Sequence, residues 1–504
     1  MHMTTNNQGV FCAVITNGRR LVMRALVQLG GARLPTSRRL PQTGFLAHRI
    51  RLASTLAPPK AAKWATAALF ILPLLAGPAS AADSNFTWGV DVALKETYDD
   101  NVYIQDTAPL PVNVVAAEAA GLTSVQPKQS SFITTVIPCL TAGYQPGAAF
   151  HVMAGYAPEI ALYTSAEEED YIAHRVTLNF GGKIKDATWE LLNMPTFIEG
   201  STIGPTFGRP GDCPAIGGIP LRDRREQFVL RDSFRTTVPL GNWLIRPAAS
   251  YFYQDFLTDQ RLNPPATANE YFYENYIDRS DVNGGLDVGY NVGRSTFLVL
   301  GYRYGQQNQY VGPNPANTAF TDSPYDSSYN RVLFGVEGSP LPWLKLAALG
   351  GPDFRNWAPG TPAGFDRNRQ VYWADVLVTV MPDKNDAVTL LYRNFEQPAF
   401  SSQSVYRDIT YSATWKHKFN DHWAASAGFQ LYIGNWLPPV YRDDWIYTPS
   451  AGLAYTYNRH LSAELNWSYD MAENETPTSD PGATYANGRE YSRNLASVAV
   501  KWTF

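Results

Sequence analysis

The sequence predicts an all-β chain: a transmembrane antiparallel up-and-down β-barrel of about 18 strands (roughly 16–18), preceded by a signal peptide. Three observations predict this fold class. Apolar and polar residues alternate with a period of two along many segments, and the connections between these segments are alternately long and short. The amino-terminal part is basic and contains one short apolar run.

The leader explains the basic part of the chain. Residues 1–82 contain ten Lys and Arg and no Asp or Glu. Within them, Lys63 precedes an apolar run from Trp64 to Ala76, followed by an Ala-x-Ala cleavage site that ends at Ala81. This run is too short to cross ~30 Å of hydrocarbon as a helix, so it predicts a Sec-type signal peptide. The predicted organisation is a basic, disordered extension over 1–62, a signal peptide over 63–81, and the barrel over 82–504. The extension is either the result of a start codon placed too early or a long leader.

Composition excludes several classes of protein. With 29 Tyr and 13 Trp, the chain is too rich in aromatic residues to be disordered. After the leader, 31 basic residues face 45 acidic ones, which is the opposite of a nucleic-acid footprint. Cys139 and Cys213 follow the leader, and two cysteines do not make a disulfide framework. Whether they pair is left open.

Taken in order, the candidate strands run to the end of the chain. The first half has candidate strands at 86–98, 131–144, 149–163, 171–183, 187–202, 226–240, 243–256, 280–292 and 295–306. Short turns are predicted at 145–148, 185–186, 241–242, 293–294, 339–342, 382–386, 420–421 and 458–459. Longer connections include 99–130, 167–170, 203–225, 257–279, 307–327, 355–367 and 471–490. Eighteen strands result.

The alternation of short turns and long loops favours a membrane barrel over a soluble β protein. Membrane barrels have short periplasmic turns and long external loops, whereas a soluble sandwich has no reason to lengthen every second connection. Hydrocarbon offers the backbone no hydrogen-bond partner, so a sheet that crosses it must close on itself. Tryptophans near the short turns fit an aromatic girdle at one rim. They are Trp88, Trp243, Trp343, Trp423 and Trp502.

The last strand alternates cleanly up to the carboxyl terminus. Its apolar positions are Ala496, Val498, Val500, Trp502 and Phe504. The stretch resembles the closing strand of a bacterial outer-membrane β-barrel, whose terminal phenylalanine is read by the barrel-assembly machinery. The resemblance implies that Phe504 is the assembly signal and that this machinery is a partner.

Charged residues in the phase opposite to the apolar face are predicted to line an aqueous lumen, because eighteen strands enclose more space than their own side chains fill. These tentative pore-lining residues are Asp91, Lys95, Arg231, Arg235, Arg303, Arg331, Arg393, Asp408, Lys416, Glu464 and Lys501. They either select permeants by charge or keep the wall wet. Asp232 and Trp373 fall in awkward phases.

The third long loop is the candidate constriction loop. Its arginines Arg222, Arg224 and Arg225 would narrow the pore if the loop folds inward. The alternative is an external, solvated loop. The acidic run from Glu167 to Asp170 has the same two interpretations, a metal site or a solvated loop, and we expect neither a metal nor a cofactor. No nucleophile–base motif of a hydrolase occurs, so an enzyme is not expected.

Two short motifs carry a family resemblance. Residues Glu96 to Val102, followed by Ile137 to Leu140, resemble the opening of the β-barrel porin-2 family of outer-membrane proteins. The resemblance implies an outer-membrane barrel and no particular substrate. A simpler reading of Tyr98 to Asn101 is a strand end that enters a turn.

We therefore expect a porin of the cell outer membrane that lets small hydrophilic solutes pass passively. Its surroundings would be outer-membrane lipid and lipopolysaccharide, no nucleic acid is expected, and oligomerisation is left open. The alternatives are a conduit for export of a polysaccharide or secreted product, and a structural or adhesive barrel plugged by its loops.

Overall fold

The structure is a computed structural model that describes residues 85–104, 128–200, 225–257, 277–293, 295–310, 323, 325–359, 361, 365–399, 405–438, 442–475 and 491–504. The predicted extension and signal peptide, and most of the predicted long loops, lie outside the described residues. Gly89–Phe504 belong to one compact unit. No helix among the described residues is long and apolar enough to cross a membrane.

Eighteen strands form a single antiparallel sheet, which confirms the predicted number. The first nine are β1 (Phe86–Asp99), β2 (Ser131–Gly147), β3 (Phe150–Tyr163), β4 (Tyr171–Ile184), β5 (Ala187–Glu199), β6 (Gln227–Leu240), β7 (Trp243–Phe256), β8 (Asp278–Gly293) and β9 (Thr296–Tyr310). The others are β10 (Ser327–Leu341), β11 (Leu344–Trp357), β12 (Gln370–Val380), β13 (Asp386–Pro398), β14 (Val405–Lys418), β15 (Trp423–Trp436), β16 (Arg442–Thr456), β17 (Leu461–Glu475) and β18 (Tyr491–Thr503). A 3-10 turn, Glu167–Glu169, follows β3.

The sheet closes into a barrel because each strand pairs with its sequence neighbour and β18 also pairs with β1. The closing ladder runs from Asp91↔Thr503 to Asp99↔Leu495. The amide of Phe504 adds one more bond, to the carbonyl of Val90 at 3.0 Å. Closure removes the sheet edges that hydrocarbon cannot satisfy.

The predicted short turns join consecutive strands at one end of the barrel, which we call the short-turn rim. The opposite end, where β1 ends and β2 begins, is the long-loop rim. Two tight turns depend on left-handed backbone. Gly241 has φ of 62° between β6 and β7, a conformation that glycine adopts without steric cost, and Lys185 has φ of 54° between β4 and β5.

Several strands extend further toward the long-loop rim than the sequence predicts. β9 was expected to end at residue 306 but reaches Tyr310, and Gln307 still pairs with Ser327. β11 reaches Trp357, inside the predicted connection 355–367. Both extensions are polar, and polar residues at a strand end read as loop in the sequence. The predicted end of β5 at 202 was wrong in the other direction, since β5 ends at Glu199 before Gly200.

Candidate functional site: the inner wall of the barrel

The inner face is identified by contacts between strands that are not neighbours in the sheet, because such contacts form only across the concave side. Arg246 on β7 reaches Glu337 on β10, with 3.0 Å between Nη1 and Oε2. Arg279 on β8 donates from Nη1 to the carbonyl of Pro398 at 2.7 Å. Paired residues share a face, so these contacts determine which residues face inward on every strand.

All eleven predicted pore-lining residues lie in this inward phase. Lys501 forms an ion pair with Asp91 at 3.3 Å, and Lys95 is within coulombic range of Glu464. Arg235 forms a 3.2 Å ion pair with Glu190. The remaining placements follow from the strand register. They cover Arg231, Arg303, Arg331, Arg393, Asp408 and Lys416.

The five predicted girdle tryptophans are exposed, with Trp243 at 52% and Trp502 at 50%. The remaining three are Trp88, Trp343 and Trp423. The two awkward residues take opposite faces. Asp232 points outward and accepts a hydrogen bond from Asn193, whereas Trp373 points inward and stacks on Arg331 at 4.7 Å.

Exposure of the inward side chains varies with height in the barrel and around its circumference. Lys416 and Glu464, on the half of the wall nearer the short-turn rim, are exposed to solvent, and so is Arg231, four residues from the start of β6. Near the long-loop rim the inward residues are buried on strands all around the circumference. Examples are Ile133, Ile198, Gln254, Gln307, Asp353, Asp408, Tyr432 and Ala472. The wall is therefore filled at the long-loop rim, whereas toward the short-turn rim β14 and β17 present exposed inward side chains and β7 and β9 have buried ones such as Leu244 and Val299.

Ion pairs cover the inner wall on β7 to β10. Arg303 holds Asp287 with two hydrogen bonds, 2.8 Å to Oδ1 and 3.0 Å to Oδ2. Arg246 approaches the same carboxylate at 3.8 Å while it binds Glu337. Asp287 is 2% exposed. Here the opposite charges are neutralised by each other instead of being offered to a permeant.

A second cluster lies nearer the long-loop rim, around the buried Tyr329. Its hydroxyl donates to Asp281 at 2.9 Å, and Arg331 and Arg355 lie over its ring at 4.6 and 5.0 Å. Both arginines also donate to Oδ2 of Asp353, at 2.8 and 3.1 Å. The ring occupies the space that a side chain on residue 305 would need, and residue 305 is glycine.

Near this cluster, the end of the β13–β14 hairpin at the long-loop rim lies against the inner wall of other strands. Pairing of β13 with β12 stops at Ala374↔Asn394, whereas pairing with β14 continues to Pro398↔Val405. The released segment, residues 395–399, we call the inward tip. Because it has left β12, it leans across the lumen toward β8, β9 and β11.

Side chains of the facing wall hold the inward tip by its backbone. Arg355 donates to the carbonyl of Glu396 at 3.0 Å, and Gln309 donates to the carbonyl of Ala399 at 2.7 Å. Arg279 binds the carbonyl of Pro398 between them. Charge-assisted bonds to buried carbonyls are among the stronger ones in proteins, so the tip is anchored in place.

The first segment after β1 fills another part of the same rim. Ile104 packs in a buried cluster with Phe256 of β7, Ala472 of β17 and Tyr491 of β18, strands on different sides of the barrel. Val102 and Tyr103 pack instead on β2 and β3. This segment and the inward tip together narrow the mouth at the long-loop rim.

The predicted constriction loop is described only at its end. Arg222 and Arg224 lie outside the described residues. Arg225 is fully buried and donates two hydrogen bonds to Glu169, at 2.9 and 3.0 Å. Within the acidic run, Glu169 is thus bonded and Asp170 accepts from the amide of Tyr163 at 2.7 Å, whereas Glu167 and Glu168 are exposed. Among the described residues no group of three or more His, Cys, Asp or Glu is placed to hold a metal ion.

Sequence reasoning missed several residues of the inner wall. The predicted connection 355–367 contains Arg355, and the predicted connection 257–279 ends at Arg279. No pattern of charges in the sequence around Tyr329 or Glu396 indicates that these residues face the lumen. One usable signal existed for Arg355: with Asp353 and Trp357 it continues the period of two of β11.

Cys139 lies on the inward face of β2 and is disulfide-bonded. Its partner lies outside the described residues. The other cysteine after the predicted leader is Cys213.

Comparison with known proteins finds no matching protein-family model and no matching curated protein. Solved structures with a similar arrangement include the outer membrane protein OpdK of Pseudomonas aeruginosa, at 11% identity and a TM-score of 0.39. OccK2 (OpdF) of the same organism, crystallised with glucuronate, has 10% identity and a TM-score of 0.40. OccAB2 of Acinetobacter baumannii has 10% identity and a TM-score of 0.41. Each comparison covers 83% of this chain and 98% of the other. The assignment of this chain as a closed antiparallel barrel of 18 strands follows from its own strand pairing.

Proposed function

We propose that the protein is an outer-membrane porin, a water-filled channel for passive passage of small hydrophilic solutes. The observation that carries the proposal is the exposed charge on the inner wall. Arg231, Lys416 and Glu464 face inward from three parts of the circumference and are open to solvent. A closed wall with apolar residues outside and both signs of charge inside is the arrangement of aqueous barrels.

The narrow mouth limits what passes. The inward tip and the segment after β1 occupy the long-loop rim, so we expect passage of single small solutes rather than of a folded polymer. Paired charges on β7 to β10 leave little net field there. Charge preference should therefore come from inward residues such as Lys416, which forms no ion pair with any residue that the structure describes.

The location proposed is the outer membrane, with the short-turn rim facing the periplasm. The exposed outward aromatics, among them Trp243 and Trp502, support a membrane girdle at that rim. In this proposal Phe504, whose amide extends the ladder between β18 and β1, is the assembly signal. Export would use the predicted signal peptide at residues 63–81.

Recording from the purified barrel in planar lipid bilayers tests the function. A porin gives stepwise ohmic currents. Currents that a sugar polymer blocks, together with passage of that polymer into the trans chamber, would instead favour an export conduit. Silence in membranes that contain correctly folded protein would contradict the channel.

A loop-plugged structural barrel is the second candidate, and burial of inward residues at the long-loop rim favours it. Arg331 is 7% exposed and Asp408 is 8% exposed, although both face the lumen. Under this alternative, release of the inward tip would be needed before any current flows. The same recordings distinguish the two, since only the porin conducts without a substitution.

A further inference from the structure

The outward face of β9, β10 and β11 changes its chemistry as these strands approach the long-loop rim. Lower down it is aromatic: Tyr302 and Tyr304 are each 46% exposed and Phe354 is 47% exposed. Rings of this kind lie at the level of lipid headgroups. The next outward positions toward the rim carry amides and hydroxyls. They are Gln306, Asn308, Ser328 and Asn356.

A groove of about 320 Å³ opens on this polar surface. Its lining includes Gln306 and Asn308 on β9, Ser328 on β10 and Asn356 on β11. The volume is at the lower end of the roughly 300–1,000 Å³ that is usual for small-molecule sites. A mono- or disaccharide unit is of suitable size.

Beside its apolar members Trp357, Ala358 and Pro359, the groove has polar side chains that carry no net charge. Its acid, Asp326, accepts from the amide of Gln309 at 2.8 Å, and its arginine, Arg367, donates to the carbonyl of Trp357 at 3.1 Å. No lysine lines it. Phosphate recognition uses clustered Arg or Lys, so a phosphate group does not fit this lining.

The free groups of the groove are amides and a hydroxyl. Within the described part of the chain, the side chains of Asn356 and Ser328 make no hydrogen bond. Gln306 and Asn308 each make one long bond, of 3.3 Å to Tyr304 and of 3.4 Å to Ser280. A carboxamide donates and accepts at neighbouring atoms. Vicinal hydroxyls of a sugar ring present the same pair of functions, which matches the ligand to a neutral polyhydroxylated molecule.

We infer that this groove binds a sugar unit of the lipopolysaccharide core oligosaccharide in the outer leaflet. The outward amides of the groove lie beyond the aromatic level on the outer side of the wall, where neutral sugars of the outer leaflet can meet them and a solute bound for the lumen would not pass. The inference rests on the outer-membrane location proposed above and is independent of permeation.

Binding of two lipopolysaccharides by the folded barrel in detergent tests this, one with a complete core and one truncated after the acidic inner sugars. We expect complete-core lipopolysaccharide to bind about tenfold more tightly, the equivalent of one or two net hydrogen bonds. The double variant Asn308→Ala/Asn356→Ala should lose most of that preference. Its conductance should stay that of wild type.

Asn330→Ala is the matched control. Asn330 is an exposed outward amide on the same β10, outside the groove lining, and accepts from Tyr302 at 2.7 Å. It should keep the full preference for the complete core. Resistance of each variant to unfolding in sodium dodecyl sulfate before boiling verifies that its barrel is closed.

Three results would overturn the inference: equal binding of the two lipopolysaccharides by wild type, equal loss in the control, or tight binding of free neutral saccharides with no preference among lipopolysaccharides. Failure of the porin proposal looks different. It appears as absence of current, whatever the binding results are.

Discussion

Arg493 on β18 clamps Asp99 on β1 across the seam where the last strand meets the first. Its Nε lies 3.1 Å from Oδ1 and its Nη2 lies 2.6 Å from Oδ2, and Asp99 is fully buried. The next two residues add to the seam. Asp100 accepts from the amide of Asn494 at 2.7 Å, and Asn101 donates to the carbonyl of Ser492 at 2.9 Å. The segment from Tyr98 to Asn101, interpreted from the sequence as a strand end that enters a turn, therefore also stabilises the pairing of β1 with β18 at the long-loop rim.

Loss of this clamp should weaken the closed barrel. Asp99→Asn leaves a buried guanidinium with a neutral partner, and breaking such a pair typically costs about 3–5 kcal/mol. We expect a lower urea midpoint in detergent, measured by the fluorescence of the tryptophans. Asp421→Asn is the control, because Asp421 is exposed in a turn with Lys418 and its loss should leave the midpoint unchanged. Equal midpoints for Asp99→Asn and wild type would contradict the role of the clamp.

Release of the inward tip should widen the channel. Arg279→Ala combined with Gln309→Ala removes the donors to the carbonyls of Pro398 and Ala399. We expect single-channel conductance to rise by about twofold, since the narrowest part of a pore dominates its resistance. Arg235→Ala is the control, because Arg235 faces inward but pairs with Glu190 away from the tip. The same rise in the control would show that lost charge, not tip release, is responsible.

The contact between Tyr329 and Gly305 predicts a position-specific glycine effect. A Cβ on residue 305 would lie 2.3 Å from Cζ of Tyr329. The ring of Tyr329 is buried, so a change of its rotamer could not relieve this clash. Gly305→Ala should therefore destabilise the barrel by about 1–3 kcal/mol, as overpacking does. Gly155→Ala serves as the comparison, since its Cβ would meet nothing nearer than 3.8 Å. Urea unfolding of both variants decides it, and equal stabilities would refute the packing argument.

Solvent access along one strand should change within four residues. Glu464 and Ser468 both face inward on β17, but Glu464 is exposed and Ser468 is 6% exposed. We expect Glu464→Cys to react with a water-soluble methanethiosulfonate at least about tenfold faster than Ser468→Cys, because only exposed, ionisable thiols react quickly. Equal rates would mean that the rim is open in solution.

The disulfide of Cys139 is open to direct chemical test. Because Cys213 is the one other cysteine after the predicted leader, we expect a non-reduced digest to contain a peptide pair that joins them. The pair should separate after reduction. Alkylation of Cys139 in unreduced, unfolded protein would contradict the bond.

Much of the architecture could be predicted because strand phase is a local property. Trp415 and Lys416 alternate by sequence position alone, and their faces follow once any one strand is oriented. The predicted turn at residues 185–186 and the closing strand at 491–504 rest on equally local signals. Strand ends were less accurate, because polar residues such as Gln307 signal a loop in the sequence although they still extend a strand.

The cross-lumen contacts were beyond reach of the sequence. Arg279 and Pro398 are far apart along the chain, and no local sequence pattern around either residue indicates that they form a hydrogen bond. Tyr329 shows the same limit, since its place over Gly305 and beneath two arginines depends on the registers of three strands.

The sequence by itself determined the wall of the barrel, that is, its eighteen strands, the faces of their side chains and their closure. It could do so because the period of two and the series of short turns are local patterns of neighbouring residues. What only the tertiary structure decided is the opening: which inward charges pair, how the tip of β13 leans across, and where the mouth narrows. The reason is physical. A strand's face depends on backbone geometry that each residue carries with it, whereas a contact across a lumen depends on how distant strands are placed around a closed circumference.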